Sequence, residues 1–258
     1  MIESLACQLK DGALFERTRL RNWQTLNSRG YIDVAKVYFT SGDVLAAYDR
    51  LQKAVECGGG KEHEYAELYR DVCRLLGKTE EVEKILWDMF HRHRCMETFN
   101  ELIAQIGKEK RTEIIYKEAD LIMAAREFNT TDAQFLLDVG KAGCAQDYIL
   151  MHADQLDGGN YYHLVPLAEN LEAKGFNLAA VVIYRSLLES NLEKAISKYY
   201  SHGVRYLRKL DALANQISDW GGIQPHGGYV QQIKQQHNRK SAFWTKYEYP
   251  QRHRFVEN

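Results

Sequence analysis

Residues 31–55 read Y-I-D-V-A-K-V-Y-F-T-S-G-D-V-L-A-A-Y-D-R-L-Q-K-A-V, and this stretch decides the fold. Val34, Ala35, Val37, Tyr38 and Phe39 recur at helical spacing, not at the alternation of a strand. Ser41-Gly42-Asp43 then interrupts them: glycine enters the left-handed conformation that ends a helix, and aspartate caps the next one. Ala47, Leu51 and Ala54 follow at offsets of five, nine and twelve from the glycine. A small residue at the first offset lets two helices approach, and a larger one fills the next groove, so the stretch is a helical hairpin.

The same punctuation recurs along the chain. Gly42, Gly77, Gly107, Gly140 and Gly175 lie 35, 30, 33 and 35 residues apart, close to the roughly 34-residue period of tetratricopeptide repeats. Val82, Leu86 and Met89 after Gly77, Thr112, Tyr116 and Ala119 after Gly107, and Ala180, Tyr184 and Leu187 after Gly175 are the expected buried positions. The fold class expected is all-α: stacked helical hairpins in a tetratricopeptide-like superhelix, with a C-terminal helical cap. A compact helix bundle is the alternative. Only three prolines (Pro166, Pro225, Pro250) stand in the way of continuous helix. Gly58-Gly59-Gly60 is expected to form an exposed, flexible loop and lacks the Gly-Lys-Ser/Thr continuation of a phosphate cradle. Gly221-Gly222 and Gly227-Gly228 bracket Pro225 in a second irregular stretch. The expected domains are a hairpin array over residues 1–218, and residues 219–258 as that irregular stretch, a capping helix and a basic aromatic tail packed on the array.

Composition narrows the function classes. Charges nearly cancel, 34 Lys/Arg against 35 Asp/Glu, which argues against a surface dominated by nucleic-acid contacts. From Asn191 onward, however, 11 basic residues face 5 acidic ones, a net of +6, against 23 and 30 before it, a net of −7. The C-terminal part is the basic end. Five cysteines without a C-x-x-C pair indicate neither a disulfide framework nor a zinc ribbon, and a cytoplasmic, reducing location is expected. The longest strongly apolar run, Leu178 to Tyr184, is far shorter than the roughly 20 residues of a membrane span.

No motif selects an enzyme. His91-Arg92-His93-Arg94-Cys95 places ring nitrogens two residues apart with arginines between, which suits a basic helix end better than a cation; neither a metal nor a cofactor is expected. There is no G-x-S-x-G elbow, no G-x-G-x-x-G and no kinase signature, and acidic pairs such as Glu80-Glu81 read as solvated helix faces. Most aromatics fall within apolar stripes and belong to the core. Tyr161-Tyr162, Tyr199-Tyr200, Tyr247 and Tyr249 are less easily buried and mark where an aromatic binding surface would lie.

From Ala179 the chain carries A-A-V-V-I-Y-R-S-L-L, then Y-Y-S-H-G-V-R-Y-L-R-K-L, then D-W-G-G-I-Q-P-H-G-G-Y-V-Q-Q-I-K-Q-Q-H-N-R-K-S-A-F-W. Asp219-Trp220, Pro225-His226, Tyr229-Val230, His237, Arg239, Lys240, Ser241, Phe243 and Trp244 make this block resemble an uncharacterised bacterial family, a domain of unknown function with tetratricopeptide-like helices. The resemblance spans the last 80 to 100 residues well and earlier repeats in style, and it implies a fold but no activity. Asn238 stands where that family suggests glycine; both residues tolerate positive φ, so the turn is expected to survive. Trp220, Phe243 and Trp244 are expected to form a structural cap, with His237 to Lys240 as the basic turn that orients it.

The expected function is therefore that of a scaffold receiving a peptide or partner protein on a concave helical surface, with Arg205, Arg208, His237, Arg239 and Lys240 as candidate partner-binding residues. Association with nucleic acid through Arg205, Arg208, Lys209, Lys234, Arg239 and Lys240 is the alternative. An enzyme with a spatially assembled site is the third possibility.

Overall fold

The computed structural model describes residues 2–249, and every regular element among them is helical. The chain divides after Arg111 into two compact units. The first contains α1 (Ile2–Gln8), α2 (Gly12–Trp23), α3 (Ser28–Ser41), α4 (Val44–Glu56), α5 (His63–Leu75), α6 (Thr79–Arg92) and α7 (Met96–Ile106). The second contains α8 (Arg111–Met123), α9 (Thr130–Asp138), α10 (Ala142–Met151), α11 (Tyr161–Ala173), α12 (Asn177–Lys194), α13 (Tyr200–Ala214), α14 (His226–Gln236) and α15 (Ser241–Glu248).

The hairpin of residues 31–55 is α3 and α4. Gly42 turns the chain at φ 88°, and Asp43 accepts a hydrogen bond from the Ala46 amide at 3.0 Å. Ala47, Leu51 and Ala54 are completely buried. Gly77, Gly107, Gly140 and Gly175 also have positive φ, each at a helix end, a region glycine enters without steric cost. In the first unit, Arg50 of α4 clamps Glu16 of α2, its Nη2 at 2.7 Å and Nε at 3.0 Å, and the Tyr38 hydroxyl of α3 donates to Glu16 at 2.9 Å. Burial raises the Glu16 carboxyl, but the hydrogen bonds from Arg50 and Tyr38 and the Arg50 charge outweigh it and hold the group below its usual range.

In the second unit α9 packs on α10 and α11, and α12 packs on α10, α11 and α13. Packing between next-but-one helices is what hairpin stacked on hairpin produces. α12 carries buried residues around its whole circumference, from Ala179 to Leu192, as a central helix must.

Three expectations are corrected. Thr112 and Tyr116 are exposed, while Ile114, Ala119 and Ile122 are buried; a 3-10 turn over Lys108–Lys110 intervenes before α8 and shifts the inward face. Gly58-Gly59-Gly60 is no free loop: Gly59 packs against Ser28, and Arg92 donates to the Lys61 carbonyl at 2.6 Å. Gly227 and Gly228 lie inside α14, after Pro225 as its N-cap residue. The turn at Asn238 forms without positive φ, closed by the Lys240 amide donating to the His237 carbonyl at 3.1 Å.

α14 and α15, expected to pack on the array, both pack on α13 and lie in the second unit. Pro250 and the rest of the tail lie outside the described residues.

Candidate functional site

The most developed concavity of the second unit is a cleft of about 480 Å³ between α11, α12 and α13, a size typical of sites for small ligands or peptide side chains. Its construction starts in the turn before α11. The Ser186 hydroxyl on α12 donates to the Leu156 carbonyl at 2.8 Å. Gly158 lies so close to α12 that a Cβ there would come within 2.0 Å of the Ser186 carbonyl oxygen. Asp157 then accepts from the Gly159 amide at 2.8 Å, and α11 begins with Tyr161 and Tyr162 turned to the cleft.

Each wall is one helical face. Tyr161, Tyr162, Val165 and Pro166 come from α11; Leu187, Ser190, Asn191 and Lys194 come from α12; Tyr199, His202, Arg205 and Tyr206 come from the entry to α13 and its first two turns. The α12 set follows the i, i+3, i+4, i+7 spacing that aligns side chains on one helix face, and Tyr162, Val165 and Pro166 follow i, i+3, i+4. Leu187 and Tyr206 are buried at the base, while Tyr161, Tyr162 and Tyr199 are 46%, 75% and 41% exposed at the mouth. Tyr161 and Tyr162 have ring centres 4.2 Å apart. The Tyr162 hydrogen bond, followed by burial, raises the Tyr161 phenol above its usual value, so it stays a neutral donor at neutral pH. Ala195, just after α12, sits at φ 53°, a left-handed conformation that non-glycine residues rarely take. Beyond it, the Asn191 amide nitrogen fixes the Tyr199 carbonyl at 3.0 Å.

The cleft's charge is one-sided. Lys194, His202 and Arg205 line it, and no aspartate or glutamate does. Neither Lys194 nor Arg205 has an ion-pair partner among the described residues.

The candidate residues from the sequence separate into three places. Arg205 is in the cleft. Arg208 donates to the carbonyls of Lys246 and Tyr247 at the end of α15, both at 3.3 Å. His237, Arg239 and Lys240 form the turn between α14 and α15 and do not line the cleft; burial, then the Lys240 charge, lowers the His237 pKa. Phe243 is fully buried and Trp244 9% exposed, and α15 packs on α13. Trp220 is half-buried, with its ring centre 5.3 Å from the Arg185 guanidinium.

Of the aromatics singled out in the sequence, Tyr161, Tyr162 and Tyr199 meet in the cleft, whereas Tyr200 is buried against Phe243. Lys194, His202, Tyr206 and Leu187 were missed. The available signal was Pro166: inside a helix it has no N–H to give the Tyr162 carbonyl.

The basic run at His91 to Cys95 begins at the end of α6, with His91 and Arg92 in its last turn, where cations complement the helix dipole. Among the described residues no cluster of three or more His, Cys, Asp or Glu side chains is arranged to hold a metal ion, and no helix is long and apolar enough to cross a membrane.

No curated protein matches the chain in sequence. A model of one protein family, the family of unknown function DUF6880, matches residues 31–246. That span reaches back to α3, well before the terminal block that carried the resemblance, and takes in the whole cleft. The chain belongs to the DUF6880 family of unknown function.

Proposed function

We propose that this chain is a protein-interaction scaffold, and that the cleft between α11, α12 and α13 receives a segment of a partner protein. The observation that carries this reading is the convergence of Tyr161, Tyr162, Tyr199 and Tyr206 on one apolar-floored cleft. Large amphipathic aromatics around a pocket are the side chains that supply most binding energy at protein interfaces. Stacked hairpins of the tetratricopeptide-like kind suit such a role, because they present helix faces side by side. A binding role is also favoured over catalysis by the polar groups present. Ser190 and His202 share no hydrogen bond among the described residues, and no carboxylate of the lining orients His202, unlike an activated nucleophile and its base. Five free thiols fit a reducing cytoplasm.

The nucleic-acid alternative has less to draw on. Arg208 is engaged with the end of α15, and Lys209 with Glu172 at 2.8 Å. Selection of displayed random peptides on the full chain tests the proposal. Enrichment of peptides sharing an apolar anchor is expected, with affinity falling at least about tenfold in Tyr162→Ala, a loss of ~1.4 kcal/mol or more. No enrichment, together with oligonucleotide binding that weakens steeply between about 50 and 200 mM salt, would replace it with the alternative.

A further inference from the structure

Resting on the reading of the cleft as a peptide site, we infer that the segment it receives is acidic: an apolar or aromatic residue flanked by aspartate or glutamate. The chain as a whole is almost neutral, 34 basic against 35 acidic residues, so a lining with cations and no carboxylate is not a consequence of composition. The cations that line it differ from several of their neighbours, which are engaged within the fold. Nearby Lys209 is neutralised by Glu172, Arg208 is bound to carbonyls, and Arg185 is enclosed between Trp220 and Tyr229. Lys194 and Arg205 have no ion-pair partner among the described residues. They stand on different helices, α12 and α13, and both line the cleft.

The phenols at the mouth fit the same chemistry, while Ser190 and the unpartnered Asn191 Oδ1 can accept from a peptide N–H. Lysine and arginine only donate hydrogen bonds, and a neutral phenol offers a donor as well; a ligand rich in acceptor oxygens satisfies all of these donors. Leu187 and Tyr206 form a buried base, and Val165 and Pro166 also line the cleft. The base takes an apolar anchor, and the flanking carboxylates reach Lys194 and Arg205. Complementary charge of this kind speeds encounter and rejects wrong partners more than it adds raw affinity.

The test uses the full chain and three fluorescent peptides of equal length around a single Phe. One is flanked by Asp and Glu, one by Asn and Gln, and one by Lys. The acidic peptide is expected to bind at least about tenfold tighter than the neutral one, and the basic peptide more weakly than both. In the double variant Lys194→Glu/Arg205→Glu the order of acidic and basic peptides should invert, with an unchanged melting midpoint showing that the fold is retained. Equal binding of acidic and neutral peptides would overturn the acidic assignment and leave the peptide site standing. Binding of no peptide would overturn the peptide site itself. A single-stranded oligonucleotide that binds tighter than the acidic peptide, and is lost in the same double variant, would overturn both in favour of a phosphate site.

Discussion

The indole nitrogen of Trp244 donates to the backbone carbonyl of His237 at 2.9 Å, tying the last helix to the turn that introduces it. Phe243, the preceding residue, stands edge-on to both Trp244 and Tyr200 of α13, with ring centres 4.9 and 5.7 Å apart. The pair thus closes the end of the second unit. Trp244→Ala is expected to lose about 3–5 kcal/mol of stability, the usual cost of removing a large buried aromatic. Thermal melting checks this, and an unaltered midpoint would mean that the helix is a recognition element and not a cap.

A second prediction concerns the buried guanidinium of Arg185. It lies 4.3 Å from the centre of the Tyr229 ring and 5.3 Å from that of Trp220, and its Nη2 donates to the Gln224 carbonyl at 2.7 Å. Burial pushes its pKa down, but a guanidinium keeps its charge inside a protein, so the rings and the carbonyl are what offset its desolvation. Lysine has a compact head and no planar face. Arg185→Lys should cost about 1–3 kcal/mol in urea unfolding; a variant as stable as its parent would show that the ring sandwich contributes nothing.

Gly203 on α13 is a close-approach position. A Cβ there would meet the Asn191 side-chain oxygen at 2.5 Å and the Phe243 ring at 3.0 Å. Gly203→Ala should therefore destabilise the protein by about 1–3 kcal/mol, although alanine is the better helix former. Because Asn191 also holds the Tyr199 carbonyl, peptide affinity measured on the same variant should fall as well. A melting midpoint at or above that of the parent would contradict the packing described.

Several buried phenols shape the alkaline limb of stability, Tyr38, Tyr65 and Tyr247 among them. Burial, reinforced by hydrogen bonding to Glu16, raises Tyr38 to about 12. Burial raises Tyr65 to about 12, and burial with a hydrogen bond to Asp211 does the same for Tyr247. Unfolded tyrosine titrates near pH ~10. Between about pH 10 and 12 the unfolded chain gives up protons that the folded one keeps, so stability present below pH ~10 is lost as pH rises. Denaturant midpoints measured across this window should fall, and more gently for Tyr38→Phe. Parallel curves for parent and variant would refute the assignment to Tyr38.

The hairpins were legible because glycine at a left-handed turn and an apolar face at helical spacing are both local properties, as Gly42 with Ala47, Leu51 and Ala54 shows. Register was lost where a short 3-10 turn entered, as after Gly107, because three extra residues rotate the inward face without changing composition. The cleft was only half legible. Tyr161, Tyr162, Tyr199 and Arg205 drew notice as aromatics or cations poorly suited to a core. Lys194 and His202 look like ordinary surface residues until α12 and α13 are brought alongside α11. Conversely, Tyr200, Arg208 and His237 resembled a binding surface in sequence but hold α15, through the Phe243 ring, the Lys246 and Tyr247 carbonyls and the Trp244 indole. Which cation is engaged internally and which is free depends on tertiary partners such as the Lys246 carbonyl, and no spacing rule reveals those.

The central claim is that the cleft of α11, α12 and α13, not the basic turn before α15, receives the partner. Hydrogen exchange on the full chain, with and without a saturating selected peptide, tests it most directly. The expected result is added protection over residues 158–166 and 187–206, with residues 237–248 unchanged. Protection confined to 237–248, or spread over α3 and α4 alone, would contradict it.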